Sequence, residues 1–214
     1  MLDHISPRRA RLVAEFETLT ALSKASSVFT FTTPGEPYDR YTFIFRGRSL
    51  GADEKDPTWI ITRDEQRCDV RIPLAYPIEP PDCCWITPIW HPNIGLGGVV
   101  RLEEIGLPSW NPNAGLEVVA ECLWDVARLA FADIERAINI PARDWLLSQK
   151  DLLLPIDPRP LRNVIMGPNR NVVKYDRRGG TAANPAEREL FFIGEDAPSP
   201  APSNGSGIWF LGEE

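Results

Sequence analysis

Apolar side chains recur at helical spacing near the start of the chain. Leu12, Phe16, Leu19 and then Ala21 or Leu22 fall on one stripe, and Arg8, Arg11, Glu15 and Lys24 are assigned to the opposite, polar face. Ser6-Pro7 immediately before them reads as a helix start, because proline is tolerated in a first turn. The spacing predicts a helix over Pro7–Lys24. The pattern then shifts to short runs rich in β-branched and aromatic residues, at 28–33, 41–48, 58–62, 68–73 and 83–87. Pro34-Gly35-Glu36-Pro37 marks a turn between the first two. Strands that follow one helix and are joined by tight turns predict an antiparallel meander rather than βαβ units.

Residues 95–109 lose periodicity and contain Gly95, Gly97, Gly98 and Gly106, so an irregular connection is expected. Helical spacing returns at 115–131, where Leu116, Val119, Leu123, Val126 and Ala127 share a stripe. A shorter helix is expected over 142–149, after Pro141. Beyond 153 Pro155, Pro158, Pro160 and Pro168 interrupt any regular element. The chain therefore divides into a domain over residues 1–153 and a Pro- and Gly-rich extension over 154–214. Within the extension, residues 196–207 have the composition of a mobile linker, and Ile208-Trp209-Phe210-Leu211 is an apolar segment able to add a strand or dock on a partner. Arg177-Arg178-Gly179-Gly180 has the look of the tail of a ubiquitin-like protein, although a plain turn explains it.

Composition narrows the class. The 214 residues are 43% apolar, enough for a buried core. The formal charge of −7 argues against a general nucleic-acid binder, which needs clustered Lys and Arg for phosphate contacts. No secretory signal and no membrane span is visible, so cytoplasmic residence is the default. Cys68, Cys83, Cys84 and Cys122 show no CxxC spacing, and His4 and His91 are far from any cysteine pair, so no metal site and no cofactor are expected.

Three motifs stand in register: Tyr76-Pro77-Ile78-Glu79-Pro80-Pro81, then His91-Pro92-Asn93, then Trp110-Asn111-Pro112. They resemble the YPxxPP, HPN and WxP of ubiquitin-conjugating enzymes. Residues 41–47, 70–73 and 138–142 resemble that family's strand, following strand and helix-opening step, and the likeness covers roughly residues 7–148. It implies an α+β fold: an N-terminal helix, an approximately four-stranded antiparallel meander, an irregular active-site flap and C-terminal helices. The departures include an extra residue between His91 and Trp110 and no clear fourth helix after Gln149. They suggest a divergent branch, bacterial or catalytically inactive.

The resemblance also assigns roles. The family's thioester cysteine stands eight residues after the Asn of HPN, and here that position is Arg101. Guanidinium stays protonated and offers no nucleophile, so transthiolation has no thiolate at this place. Three explanations stand open: a natural pseudo-enzyme, an engineered replacement of the cysteine, or service by another thiol, the last disfavoured because Cys83, Cys84 and Cys122 belong to predicted regular elements. His91 is implied to shape the flap. Asn93 is implied either to stabilise an oxyanion or to cap its own turn. Asp133 and Glu135 are candidates for an acidic gate on an incoming lysine, or for a solvated helix end. Arg8, Arg9 and Arg11, with Pro80 and Pro108, are candidates for partner contacts, the arginines equally for a solvated face. The function implied is a non-catalytic component of a ubiquitin-like conjugation pathway that binds a ubiquitin-like protein, an activating enzyme or an active conjugating enzyme. An active enzyme whose cysteine was replaced at 101 is the first alternative, and an RWD-type interaction module is the second.

Overall fold

The structure is a computed structural model that describes residues 6–53, 55–56 and 59–164. Helix α1 (Pro7–Lys24) opens where the proline signal puts it, with the Ser6 hydroxyl accepting from Arg9 N at 3.2 Å. Five strands follow in one antiparallel sheet in chain order: β1 (Phe29–Thr32), β2 (Arg40–Ala52), β3 (Ile60–Arg71), β4 (Asp82–Trp85) and β5 (Val99–Val100). Helices α2 (Leu116–Ala127) and α3 (Ile140–Ser148) complete the regular elements.

The core lies between one sheet face and the two long helices. Leu12, Leu19 and Leu22 of α1 and Leu116, Val119, Leu123 and Trp124 of α2 meet Phe43, Phe45, Cys68, Val70 and Trp85. The rings of Phe45 and Trp124 stack with centroids 6.0 Å apart, which fixes α2 against the middle of β2.

The sheet has one strand more than expected, because the two residues of β5 pair with β4 and carry no run long enough to announce a strand. The segments 58–62 and 68–73 are not separate strands. They belong to the single strand β3, whose charged middle (Arg63-Asp64-Glu65-Gln66-Arg67) pairs with β2 across a bulge between Arg46 and Ser49. Charged residues interrupt an apolar run without breaking a backbone ladder. Helix α2 ends at Ala127 rather than at 131, since Leu129 adopts φ 55°. Helix α3 begins two residues earlier than expected, with Asn139 as its cap accepting from Ala142 N at 3.2 Å.

Glu15 does not belong to the polar face. It is 3% exposed and sits on the buried stripe with Leu12, Leu19 and Leu22. Its carboxylate accepts from Arg11 Nε at 2.7 Å, from the Tyr76 hydroxyl at 2.6 Å and from Leu116 N at 2.8 Å. Gly115, the N-cap of α2, has no side chain to supply, so Glu15 supplies the anion from another helix.

After α3 the chain returns across the domain. Residues 156–163 form a strap held by Ile156 N to Arg128 O (2.9 Å), Trp124 Nε1 to Arg159 O (2.8 Å) and Asn163 N to Ala25 O (3.1 Å), with Leu161 buried. The readings made for residues 165–214, including the 177–180, 196–207 and 208–211 segments, lie outside the described residues.

Candidate functional site

His91 and Asn93 sit in the loop after β4, and both are fully buried. His91 Nδ1 accepts from Asn93 N at 3.0 Å, and its Nε2 lies 2.8 Å from Phe131 O. A carbonyl only accepts, so Nε2 carries the proton and the tautomer is fixed by its two partners. Burial pushes this imidazole down to about 4, and it is neutral at neutral pH. With both nitrogens occupied by backbone, His91 ties the flap to the loop after α2 and has no free position for proton transfer.

The Asn93 amide is equally committed. Its Nδ2 donates to Asp133 O at 2.8 Å and Arg136 O at 3.3 Å, and its Oδ1 accepts from Asp133 N at 2.8 Å. Both donors and the carbonyl thus serve the loop 133–136. Pro92 O accepts from Ile138 N and Asn139 N, and Asn139 Nδ2 reaches Ile94 O at 3.3 Å. The HPN turn is therefore the clasp between the flap and the start of α3.

Asp133 turns its carboxylate on its own loop, accepting from Glu135 N (3.1 Å) and Arg136 N (3.0 Å), while Glu135 is exposed. Arg8 donates to Pro73 O at 2.8 Å, Arg9 pairs with Glu36 at 2.8 Å, and Arg11 spans Glu15 and Ala114 O at 2.7 Å. Arg8 and Arg11 thus bind α1 to other parts of the domain. Pro80 and Pro108 are both exposed. Trp110 Nε1 donates to Pro77 O at 2.7 Å, which holds the proline turn against the end of the flap.

Arg101 follows β5 in extended backbone (φ −98°, ψ 125°) and precedes a 3-10 turn at Leu102–Ile105. Leu102 and Ile105 are buried and anchor the turn, and Gly106 closes it at φ 95°, in the left-handed region that favours glycine. The Arg101 side chain is 67% exposed and its nearest ion-pair partner is Glu104 Oε1 at 3.6 Å. The flap is thus built and anchored around the position, and the guanidinium stands out from it.

None of the four cysteines lies at the flap position that Arg101 occupies. Cys68 is buried and its thiol is pushed well up by desolvation, and Cys122 is raised to about 11 by burial and then by Asp125 and Glu121. Cys83 is buried, and Cys84, half-buried, lies in β4 rather than on the flap. Among the described residues no group of three or more His, Cys, Asp or Glu side chains gathers to hold a metal ion, and no helix is long and apolar enough to cross a membrane.

Sequence reasoning missed Glu15, Asn139 and the strap residue Asp157. Asn139 carried a readable signal, an Asn two residues before a helix-opening Pro141. Glu15 carried one too, a carboxylate placed on a leucine stripe.

Residues 64–147 match the ubiquitin-conjugating enzyme family. The chain is 39% identical over 54 residues to the ubiquitin-conjugating enzyme E2 T of Danio rerio, covering 24% of this chain and 28% of that protein. It is 27% identical over 121 residues to the ubiquitin-conjugating enzyme E2 PEX4 of Gibberella zeae, covering 56% of this chain and 64% of that protein. It thus spans less than two-thirds of the length of either relative. A solved structure described as a ubiquitin conjugating enzyme from Plasmodium yoelii superposes with a TM-score of 0.51 at 19% identity, over 68% of this chain and 87% of its own. The chain is ubiquitin-conjugating-enzyme-like in sequence over residues 64–147 and has the α+β fold of those enzymes.

Proposed function

We propose that this chain is a non-catalytic component of a ubiquitin-like conjugation pathway. It binds a ubiquitin-like protein, its activating enzyme or an active conjugating enzyme, in the cytoplasm, and forms no thioester itself. The observation that carries this reading is Arg101, an exposed guanidinium at the place of the carrier cysteine on an otherwise anchored flap. Transthiolation requires a thiolate to attack the activated carboxyl group and hold it. Arginine has no such electron pair, and Cys68 and Cys122 have thiol pKa values moved away from thiolate formation.

The test is a charging assay with ubiquitin, its activating enzyme and ATP, run on the chain and on Arg101→Cys and read on non-reducing gels. A thiol-labile adduct on Arg101→Cys alone supports the reading, since one side chain then separates a carrier from a non-carrier. An adduct on the unaltered chain reveals another nucleophile and overturns it.

A further inference from the structure

We propose that the strap is exchanged between two copies of this chain, so that residues 156–163 of each copy dock on α2 and β2 of the other in a domain-swapped dimer. The partner is a second copy of the chain, and the contact lies away from Arg101 and the HPN clasp.

The strap behaves as a ligand for one groove. Its Arg159 carbonyl accepts from Trp124 Nε1, Asp157 accepts from Arg48 N, Arg162 spans Glu117 and Glu121, Asn163 N donates to Ala25 O, and Leu161 is buried. Those partners lie in or beside α1, β2 and α2, and none lies in α3. The groove therefore selects the segment by the segment's own residues, whichever copy supplies it. The segment that fits is this chain's own, so a second copy carries the right chemistry for the same groove.

What joins α3 to the strap is suited to open. The last bond of α3 is Gln149 N to Leu146 O, and the next along the chain is Ile156 N to Arg128 O. Among the described residues, 150–155 take part in no hydrogen bond or ion pair. Leu153 is 85% exposed and Leu154 50%, and Leu147 of α3 is 63% exposed. Leu152 and Leu154 line an apolar cavity together with Leu129, Ile134 and Leu146 without filling it. Leucines left on solvent around an open apolar cavity favour association. Six extended residues reach about 20 Å, enough to cross to a neighbour. About a twofold axis the two hinges run antiparallel, so their unpaired backbone groups face each other and their leucines close the two cavities. Exchange conserves every strap contact, and this new interface is the surplus that offsets the cost of association.

The experiment refolds the full chain from urea at low and at high protein concentration and reads its mass by light scattering. A dimer fraction that rises with concentration is expected. A second arm refolds two variants, Glu117→Arg with Glu121→Arg and Arg162→Glu, alone and mixed, and reads the dimers by native mass spectrometry. Exchange sets like charges together in each homodimer and opposite charges together only in the mixed dimer. The ratio of mixed dimer to homodimers is therefore expected to exceed the statistical one by about threefold or more at low salt. Leu153→Ser with Leu154→Ser, at positions on solvent in the single chain, is expected to fold as before and to weaken the dimer by about tenfold or more. A single chain at every concentration overturns the proposal. A dimer whose mixing stays statistical is a face-to-face contact and overturns the exchange, and a dimer indifferent to the serine pair overturns the hinge interface.

Discussion

Glu15 collects donors from three separate parts of the chain: Arg11 on its own helix, Tyr76 in the proline turn and Leu116 at the start of α2. Burial and then the hydrogen bond to Glu15 push the Tyr76 phenol above its ordinary value, so Tyr76 is a donor throughout the usual pH range. Replacing Glu15 by Ala strands all three donors, and we expect a loss of about 3 kcal/mol in urea unfolding. Glu15→Gln keeps the size but not the charge and should fall between. A loss under about 1 kcal/mol for Glu15→Ala would show that water replaces the carboxylate there. This residue was misassigned from sequence because a helical wheel ranks a glutamate as solvent-facing. What reverses that ranking is a tyrosine and a bare helix end that are distant in the chain. His91 makes a second prediction at this scale. Its folded value of about 4 lies below the ordinary 6.5, so the unfolded chain binds the extra proton first as pH falls. Its contribution is complete above about 6.5, declines as pH drops from there to about 4, and is flat below, with a total of about 3 kcal/mol. Stability measured from pH 7 to 4 should therefore fall more steeply for the chain than for His91→Gln. Parallel curves would mean that the imidazole is hydrated.

Among the elements, β2 shows how a local irregularity places a distant segment. The bulge between Arg46 and Ser49 lets Gly47 face both α2 and the strap. A Cβ there would fall inside the contact distance of the Trp124 ring and 2.6 Å from Asp157 Oδ2. Gly47→Ala must move one or the other, and overpacking of that kind costs about 1–3 kcal/mol. Gly97→Ala, in open space on the flap, serves as the control and should change stability by less than about 0.5 kcal/mol. Thermal unfolding of the two variants decides it, and equal shifts would remove the close approach as the reason for glycine at 47. Element boundaries were legible where a period or a cap stood beside them, as at Ser6-Pro7 for α1. They were not legible in β3, whose middle is polar on both faces, with Gln66 buried, and is held as a strand by its backbone ladder with β2. The HPN clasp was legible as a motif, yet the partners that commit Asn93, at Asp133 and Arg136, lie 40 residues or more away and only folding brings them in.

At the scale of the whole domain, the strap decides where the folded unit ends. Prolines in residues 155–160 exclude a helix, which makes the segment look like an extension in sequence, but proline excludes only regular pairing and not docking. Asp157 accepts from Arg48 N at 3.0 Å and from Arg159 Nε at 2.9 Å, and Arg159 with the backbone donors pulls its carboxyl down to about 2 against the opposing effect of burial. Arg162 pairs with Glu117 at 2.7 Å and Glu121 at 3.0 Å on α2, and Asn163 Nδ2 reaches Ser27 at 2.9 Å beyond α1. The strap thus joins the end of α1, the bulge of β2 and the exposed face of α2. A chain ending at Val164 retains every one of these bonds, and a chain ending at Leu153 leaves the Trp124 indole N–H without its acceptor and uncovers the site of Leu161. Burying a leucine and satisfying one indole are each worth about 1–3 kcal/mol, so the shorter chain should unfold at distinctly lower urea with a smaller slope. Asp157→Ala in the longer chain should move the midpoint the same way by less, because Leu161 still docks. Equal midpoints for the two lengths would mean that the strap rests on the domain without stabilising it, and that the fold is complete at α3.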